Sequence, residues 1–356
     1  MGLYSEFGVE AYGFKCSASR CGSFLDYCSD FVVIEELFEG FLSSTGYPLY
    51  VVVKCGVDTG KAIIDFERAS GARVVGYGGL KDASSISIQY FNTDKLVTKT
   101  MFFEWGWVKP VGFSRRRLSR GLIQYNIFKI TLRESINTAL ECFYKIARSK
   151  TIPNYYGHQR FGVKKPYSHE MGIALAREGV WGLRRLLKDY GKSGWWENRV
   201  LRGEGLPGRV RDILVSAMQA YIFNKCLSNL LGEYGDEWIR ELKGKTGLLP
   251  GDGLESIVGK PWVCREHAEC SLSLYKELIG KPRVRVKARA RPLTASVIDS
   301  EAYIKAGSGA LKLVFKLGSG SYASIILREL FRENEEWVYK RCRKPVEFAK
   351  ACMSSS

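Results

Sequence analysis

Short runs of β-branched and aromatic residues, separated by polar turns, dominate the first part of the chain. Between two of these runs, the apolar residues of 61–70 recur every three or four positions, which predicts a helix. A basic loop at 114–120 separates two further runs. The pattern predicts a fold in which strands and interspersed helices share one layered domain. The predicted strands are 30–34, 50–54, 100–108 and 127–132.

Amphipathic helices dominate the middle of the chain. From Tyr167 onward, apolar residues have the spacing of helices with one buried face. Residues 312–317 again have a strand pattern, and 325–331 have helical spacing. The helical middle is therefore flanked on both sides by α+β sequence. The predicted helices are Glu170 to Arg177, Trp181 to Asp189, Val210 to Leu231 and Trp238 to Leu242.

One segment, 281–291, alternates basic and apolar residues strictly. Because successive side chains of a strand point to opposite faces, a strand here would carry all its cations on one face. Arg291 is the last of these predicted cations. Lys281 is the first of the six, and we call the four between them the basic stripe: Arg283, Arg285, Lys287 and Arg289.

The charge of the chain favours a polyanionic partner. Fifty-four Lys and Arg outnumber 37 Asp and Glu, which leaves a formal net charge of +17. An excess of this size is typical of proteins that bind nucleic acid. A second basic cluster, at Arg115, Arg116 and Arg117, supports the same interpretation. The longest apolar runs, such as 49–53, are far shorter than a membrane span, so no membrane contact is predicted.

The ten cysteines are scattered and include no Cys-x-x-Cys pair, and residues 1–16 lack the layout of a secretory signal. We therefore predict reduced thiols and a cytoplasmic protein. Cys264, His267 and Cys270 combine the ligand types of zinc, but their spacing is not that of a common zinc finger. A surface helix or loop is the favoured interpretation of this group, with a metal site as the alternative.

Other catalytic classes have little support. Residues 56–62 resemble a phosphate-binding loop but are one residue short between the glycines, and Ala62 stands where a hydroxyl would bind magnesium. The chain has three histidines, which are widely separated, and no Gly-x-Ser-x-Gly turn, so a serine hydrolase is disfavoured.

Two stretches combine residue types that can act on a nucleotide. In 78–90, paired glycines precede Lys81 and Asp82, and a carboxylate after such a turn can project into a pocket beside a cation. In 154–162, adjacent aromatics, amides and an arginine can stack on a base, hydrogen-bond its edge and hold a phosphate. For 78–90 the alternative is an aspartate that caps a turn, and for 154–162 it is a buried aromatic turn without a function.

Both stretches resemble signature segments of the TruD family of tRNA pseudouridine synthases. The differences are mostly small: Tyr156 replaces a phenylalanine, and Asp58 replaces an asparagine. Near the start, Leu25 and Cys28 stand where the family has a lysine and a proline. The further blocks that agree, in the family's order, are 30–36, Lys54 with Thr59, 126–128, 216–224 and 315–330.

The resemblance implies an α+β fold with a mixed, largely antiparallel sheet in a pseudouridine synthase catalytic domain. This domain would comprise 1–165 and 291–356, with a largely helical inserted domain at 166–290. It also implies that the protein isomerises one uridine of tRNA, at position 13 in the family, without a cofactor, a metal or an obligatory protein partner.

The resemblance further implies roles for individual residues. Asp82 would be the nucleophile, Tyr156 the ring that supports a flipped base, and Asn154 the amide that holds the site. A cation should keep Asp82 ionised, and Lys81, Lys54 and Arg328 are the candidates in that order. The other positions predicted to bind substrate are Gln89, Arg160 and Phe161.

The body of the tRNA would lie across the Arg115 to Arg117 cluster and the basic stripe, which would neutralise phosphates without reading sequence. Because the family lysine is missing at Leu25, the alternative is a non-catalytic RNA-binding protein or RNA chaperone on a degenerate synthase fold. A metal-dependent RNA hydrolase would need a cluster of carboxylates or histidines that the sequence does not offer.

Overall fold

A computed structural model describes residues 3–16, 26–81, 83–133, 136–162, 166–190, 194–305 and 307–331. These residues form two compact units. The helical unit is the described part of 1–16, 151–295 and 321–339, and the sheet unit is that of 17–150, 296–320 and 340–356. The boundaries between these two units differ from the boundaries predicted for the catalytic and inserted domains. The bounds of those two domains stay a prediction.

The secondary structure agrees with the predicted alternation. The strands are β1 (Phe31–Leu37), β2 (Leu42–Ser43), β3 (Tyr47–Cys55), β4 (Val74–Tyr77), β5 (Ile86–Thr93), β6 (Met101–Phe103), β7 (Gly106–Ser114), β8 (Ile123–Leu132), β9 (Thr151–Pro153), β10 (Thr246–Leu249), β11 (Arg289–Pro292), β12 (Thr294–Ile304) and β13 (Leu311–Gly318). The helices are α1 (Thr59–Ser70), α2 (Ile136–Ser149), α3 (Ser168–Asp189), α4 (Trp195–Arg202), α5 (Gly208–Tyr234), α6 (Trp238–Leu242), α7 (Arg265–Leu278) and α8 (Ala323–Leu330). Among these, helices α2, α4 and α7 and strands β2, β5, β9, β10 and β12 were not predicted.

The sheet unit contains a mixed sheet with the strand order β2-β7-β3-β5-β1-β8-β13-β12. The pairing of β1 with β5 is parallel, whereas β3 with β5, β1 with β8, and β8 with β13 are antiparallel. Helix α1 packs Ala62 and Phe66 against Tyr50, Phe91 and Val108 of this sheet. Such burial of large apolar side chains supplies most of the stability of a layered α+β fold. The predicted fold class is confirmed.

The helical unit has its core where α3, α4 and α5 meet. Buried side chains from the three helices include Leu175, Val200 and Met218. Helix α3 bends at Gly179, whose φ of 72° is outside the helical range. This bend separates the two helices that the sequence predicted for the region. None of the helices in the described part of the chain is long and apolar enough to cross a membrane.

The basic stripe is only partly a strand. Residues 289–292 form β11 beside β10, but the backbone before them bonds irregularly, with Ala288 N–H donating to Asp252 O and Lys287 O accepting from Gln219 Nε2. The prediction of a continuous strand over 281–291 is therefore wrong. The side chains nevertheless alternate between exposed and buried positions: the four stripe cations are exposed, whereas Val286 and Ala288 are buried.

A disulfide joins Cys226 of α5 to Cys270 of α7. The prediction that the cysteines are reduced is therefore wrong for this pair. Cys264 precedes α7, and His267 is buried within it, so the Cys264 group belongs to a packed helix rather than a surface one. Within the described residues, no three His, Cys, Asp or Glu side chains converge as a metal site would require.

Candidate active site

The turn that leads to Asp82 is held by Thr59, the first residue of α1. Thr59 N–H donates to Lys81 O at 3.1 Å, and Lys81 N–H donates to Thr59 Oγ1 at 2.8 Å. The Thr59 hydroxyl in turn donates to Gln89 Oε1 at 3.1 Å, and both of these side chains are buried. Asp82 itself lies outside the described residues. The backbone immediately before it is thus fixed by reciprocal hydrogen bonds.

A buried carboxylate fixes the side chain of Lys81 as well. Lys81 Nζ lies 2.6 Å from Glu35 Oε1, and the Glu35 side chain is fully buried. Tyr90 N–H donates to the second Glu35 oxygen at 3.1 Å. The turn can approach this pair only because residue 78 is glycine: an added Cβ at Gly78 would lie 3.0 Å from Glu35 Oε2 and 2.5 Å from Ile123 Cδ1. A charged partner inside the protein compensates for the cost of burying each ion.

Lys54 is a second buried cation in the sheet unit. It is fully buried on β3, and its ammonium donates to Val57 O at 2.7 Å. Val57 belongs to the short segment that leads into Thr59. A buried ammonium is costly unless hydrogen bonds and opposite charge stabilise it, so its placement in an otherwise apolar strand suggests a functional role.

In the helical unit, Asn154 follows β9 and is almost fully buried. Its Oδ1 accepts from Arg291 Nη2 at 2.7 Å and from the Ser321 hydroxyl at 3.2 Å. Its Nδ2 donates to Pro292 O at 2.9 Å. These contacts fix the orientation of the amide, because the oxygen and the nitrogen each face a group of the right kind.

The Tyr156 ring is half-buried and surrounded by aromatic and cationic groups. Its backbone is clamped by Asn224, whose Oδ1 accepts from Tyr156 N–H at 2.8 Å and whose Nδ2 donates to Tyr156 O at 3.0 Å. Phe223 meets the ring edge-on at a centroid distance of 5.6 Å. The Arg160 guanidinium carbon lies 5.9 Å from the ring centroid. A half-exposed ring held in this way has the properties of a platform for a nucleobase.

Two residues that were predicted to bind substrate, Phe161 and Arg328, are instead buried in the interior of the helical unit. Phe161 is fully buried and stacks on Phe7 at 4.7 Å. Arg328 is 2% exposed and donates to Ala11 O and Val9 O, at 2.9 and 3.1 Å. The first contact joins the N-terminal segment to the 154–162 block, and the Arg328 bonds join it to α8. They give both side chains a packing role, so neither is supported as a substrate contact.

The predicted RNA-binding cations are on the surface of their units. Arg115, Arg116 and Arg117 are exposed in the loop after β7. The buried side chain of Asn92 holds this loop, accepting from Leu118 N–H at 2.6 Å and donating to Ser114 Oγ at 3.0 Å. The stripe cations are exposed in the helical unit, with no ion pair among the residues that the structure describes. Both sets are accessible to phosphates.

The three histidines are buried and electrically neutral at pH 7. Burial lowers the pKa of His158 to about 3 and that of His267 to about 4. Burial likewise lowers the pKa of His169 to about 4, although Glu170 opposes the shift. None of the three is available as a general base near neutrality.

Sequence reasoning missed several residues that shape these sites, namely Glu35, Asn224, Tyr322 and the inward-facing Arg291. The first three lie inside the blocks that resemble the TruD family, but only the fold shows their contacts. Arg291 was predicted on the cationic face, and this is wrong: it is half-buried and turned toward Asn154.

Known proteins resemble this chain along most of its length. The TruD family model, described as tRNA pseudouridine synthase D, matches residues 7–183, which contain both the Asp82 turn and the 154–162 block. A tRNA pseudouridine synthase D relative from Pyrobaculum islandicum is 28% identical, over 86% of this chain and 91% of that protein. The tRNA pseudouridine synthase D of Legionella pneumophila is 24% identical, over 92% of this chain and 99% of its own length.

A solved structure has the same fold. The TruD crystal structure from Methanosarcina mazei superposes with a TM-score of 0.63 over 93% of this chain and 98% of that chain, at 18% sequence identity. The mixed sheet and helices described above are therefore those of a pseudouridine synthase fold. Together with the family match and the relatives that align along nearly their whole lengths, this places the chain in the TruD family of tRNA pseudouridine synthases, which are isomerases.

Proposed function

We propose that this protein converts one uridine of tRNA to pseudouridine, with Asp82 as the nucleophile. The observation that carries the proposal is the fixed position of Lys81, whose backbone is bonded to Thr59 and whose ammonium is bonded to the buried Glu35. The residue immediately before the proposed nucleophile therefore has a defined backbone and side-chain position. Defined placement of a reacting group is a main source of enzymatic rate.

The reaction needs neither redox chemistry nor a second substrate. The bond between N1 of uracil and C1′ of ribose breaks, the base turns, and C5 bonds to C1′; C5 loses a proton and N1 gains one. The Asp82 carboxylate can attack C1′, attack C6, or assist elimination toward a glycal. All three routes require an ionised Asp82 and a uridine that has left its stack.

Other residues have proposed roles in this reaction. The half-buried Tyr156 ring supports the extruded base, and the fixed amide of Asn154 orients it. Among the three candidate cations, Lys54 now has the best support, because it is buried and its hydrogen bond leads to the segment before Thr59. Lys81 pairs with Glu35, and Arg328 is bonded to backbone carbonyls near the N-terminus. From the family we propose position 13 of cytoplasmic tRNA as the target.

The Asp82→Asn variant tests the proposal. We expect pseudouridine formation in a pool of unmodified tRNA transcripts to fall by at least about 10³-fold, because the nucleophile is lost while size is kept. The Kd for tRNA should stay within about twofold, since the RNA-binding cations are unchanged. The matched control is Asp58→Asn, which keeps a good helix N-cap where Asp58 accepts from Lys61 N–H.

The outcomes separate the enzyme from its alternative. Full activity of Asp82→Asn would exclude this nucleophile. A wild-type protein that binds tRNA in salt-dependent fashion but forms no pseudouridine would instead support the non-catalytic RNA-binding protein. Loss of activity in Asp58→Asn as well would show that the turn, rather than the Asp82 carboxylate, is sensitive to substitution.

A further inference from the structure

We infer that Arg291 is a positioning residue, which locks the Asn154 amide and the Tyr156 ring into one rigid platform for the substrate base. The inference rests on the proposed function, because the base in question is the uracil of that reaction. It concerns the helical unit alone, in which all three residues lie.

Arg291 is bonded to Asn154 at two separate atoms. Its Nε donates to Asn154 O at 3.0 Å, and its Nη2 donates to Asn154 Oδ1 at 2.7 Å. Because the N–H groups of a guanidinium point in fixed directions within one plane, two bonds of this kind set the orientation of the whole group. The same bonds hold the backbone and the side chain of Asn154 against each other.

The guanidinium that is oriented in this way stacks on the Tyr156 ring. The Arg291 Cζ lies 4.0 Å from the ring centroid, which is close enough for a strong cation–π contact. Two further rings, those of Phe223 and Tyr322, have centroids 5.7 and 6.0 Å from the same carbon. One face of Tyr156 is thus supported by a flat cation, so the ring cannot tilt in that direction when a base stacks on it.

Hydrogen bonds run in both directions between the Asn154 segment and the strand that carries Arg291. While Arg291 donates to Asn154, the Asn154 amide donates back to the carbonyl of Pro292, the next residue after Arg291. The end of β11 and the segment 154–156 therefore hold each other, although 137 positions separate Arg291 from Asn154. A platform built in this way is rigid before the substrate arrives, which reduces the ordering cost at the moment of reaction.

A purely structural role for Arg291 would give different kinetics. If Arg291 contributed only to packing, its loss would lower the melting temperature, the rate and the affinity for tRNA together. Loss of positioning would slow the chemical step at saturating tRNA, while the Kd for tRNA, which depends on phosphate contacts, would change little. Arg291→Lys separates these roles, since lysine keeps the charge and the aliphatic stem but has no planar fork.

The test measures single-turnover pseudouridine formation, Kd for tRNA and melting temperature for Arg291→Lys. We expect the rate at saturating tRNA to fall by about 30- to 100-fold, as for a misplaced reacting group, with Kd within about threefold of wild type. The matched control is Arg265→Lys, at an exposed arginine of α7 that pairs with Glu269 in the same unit, which should keep the wild-type rate.

A double variant tests whether Arg291 acts through the ring. In a Tyr156→Ala background, Arg291→Lys should cost clearly less than the loss of about 30- to 100-fold expected in the wild-type background, because only its bonds to Asn154 are left to lose. Equal losses in both backgrounds would overturn the inference, as would a wild-type rate for Arg291→Lys in an active protein. A wild-type protein without any synthase activity would instead refute the proposed function, so the two failures are distinguishable.

Discussion

Neighbouring residues of the 154–162 block have different environments, although they share one motif. The Tyr156 ring is half-buried and faces cations, whereas Phe161, five positions later, is fully buried against Phe7. Gly157 permits the turn between them, since an added Cβ would lie 2.3 Å from Ser324 Oγ. A motif of aromatic residues therefore contains both a candidate base platform and an anchor in the core.

At the residue scale, we predict that Tyr156→Phe keeps activity within about threefold, whereas Tyr156→Ala lowers kcat/KM by about 10- to 100-fold. Stacking on an aromatic ring contributes about 1–3 kcal/mol per base and needs no hydroxyl. Steady-state pseudouridine assays would check both variants. Tyr144→Ala, at an exposed tyrosine of α2, is the control for loss of an aromatic side chain. Equal activity of Tyr156→Ala and wild type would contradict the stacking role.

At the element scale, the basic stripe has the side-chain alternation of a strand without strand pairing along its first residues. Its backbone bonds to Asp252 and Gln219 instead. The apolar partners still point inward, because burying Val286 and Ala288 is favourable whether or not the backbone pairs with a strand. The cations consequently remain exposed together on the helical unit.

Charge reversal of Arg285, Lys287 and Arg289 should weaken tRNA binding, because up to three phosphate contacts are lost. For the same reason, the slope of log Kd against the logarithm of the salt concentration should decrease by about three. The choice of uridine should not change, since phosphate contacts carry no sequence information. Binding titrations at several salt concentrations and pseudouridine mapping would measure both. Reversal of three cations that already pair with acidic neighbours, Arg199, Arg211 and Arg240, is the control. An unchanged slope in the stripe variant would remove the stripe from the RNA footprint.

At the scale of the whole molecule, all three histidines are buried as neutral groups in the helical unit. Their pKa values in the folded protein, about 3 to 4, lie below the ordinary value of 6.5. The unfolded chain therefore binds protons between pH 6.5 and 4 that the folded protein does not. Stability is complete above pH 6.5 and falls as the pH is lowered through this window.

We predict that the free energy of unfolding decreases by about 2 kcal/mol per histidine between pH 6.5 and pH 5. Chemical denaturation at the two pH values would measure the decrease. His169→Phe is the informative variant, because His169 stacks on Tyr221 and its Nδ1 has no hydrogen-bond partner among the described residues. It should lose about one third of the pH dependence; a decrease equal to that of wild type would contradict the assignment.

The sequence alone determined the parts of this protein that depend on local order along the chain. Residue spacing was sufficient to predict β1, β3, α1, α5 and α8, because a buried face imposes its period on the sequence. The two motifs around Asp82 and Tyr156 could also be recognised in the sequence, since the residues of each motif are contiguous. The resemblance to the TruD family followed from these blocks and their order, and the comparisons confirmed it.

Only the tertiary structure decided which of these residues contact each other. Glu35 and Lys81, or Arg291 and Asn154, are separated by tens of positions or more, and no local pattern pairs them. Arg291 has the same place in the basic alternation as Arg289, yet one is held by Asn154 and the other is exposed. Periodicity specifies a face, whereas the partner on that face depends on how distant segments pack. For that reason the candidate nucleophile, Asp82, could be predicted from the sequence, whereas the positioning residue, Arg291, could not.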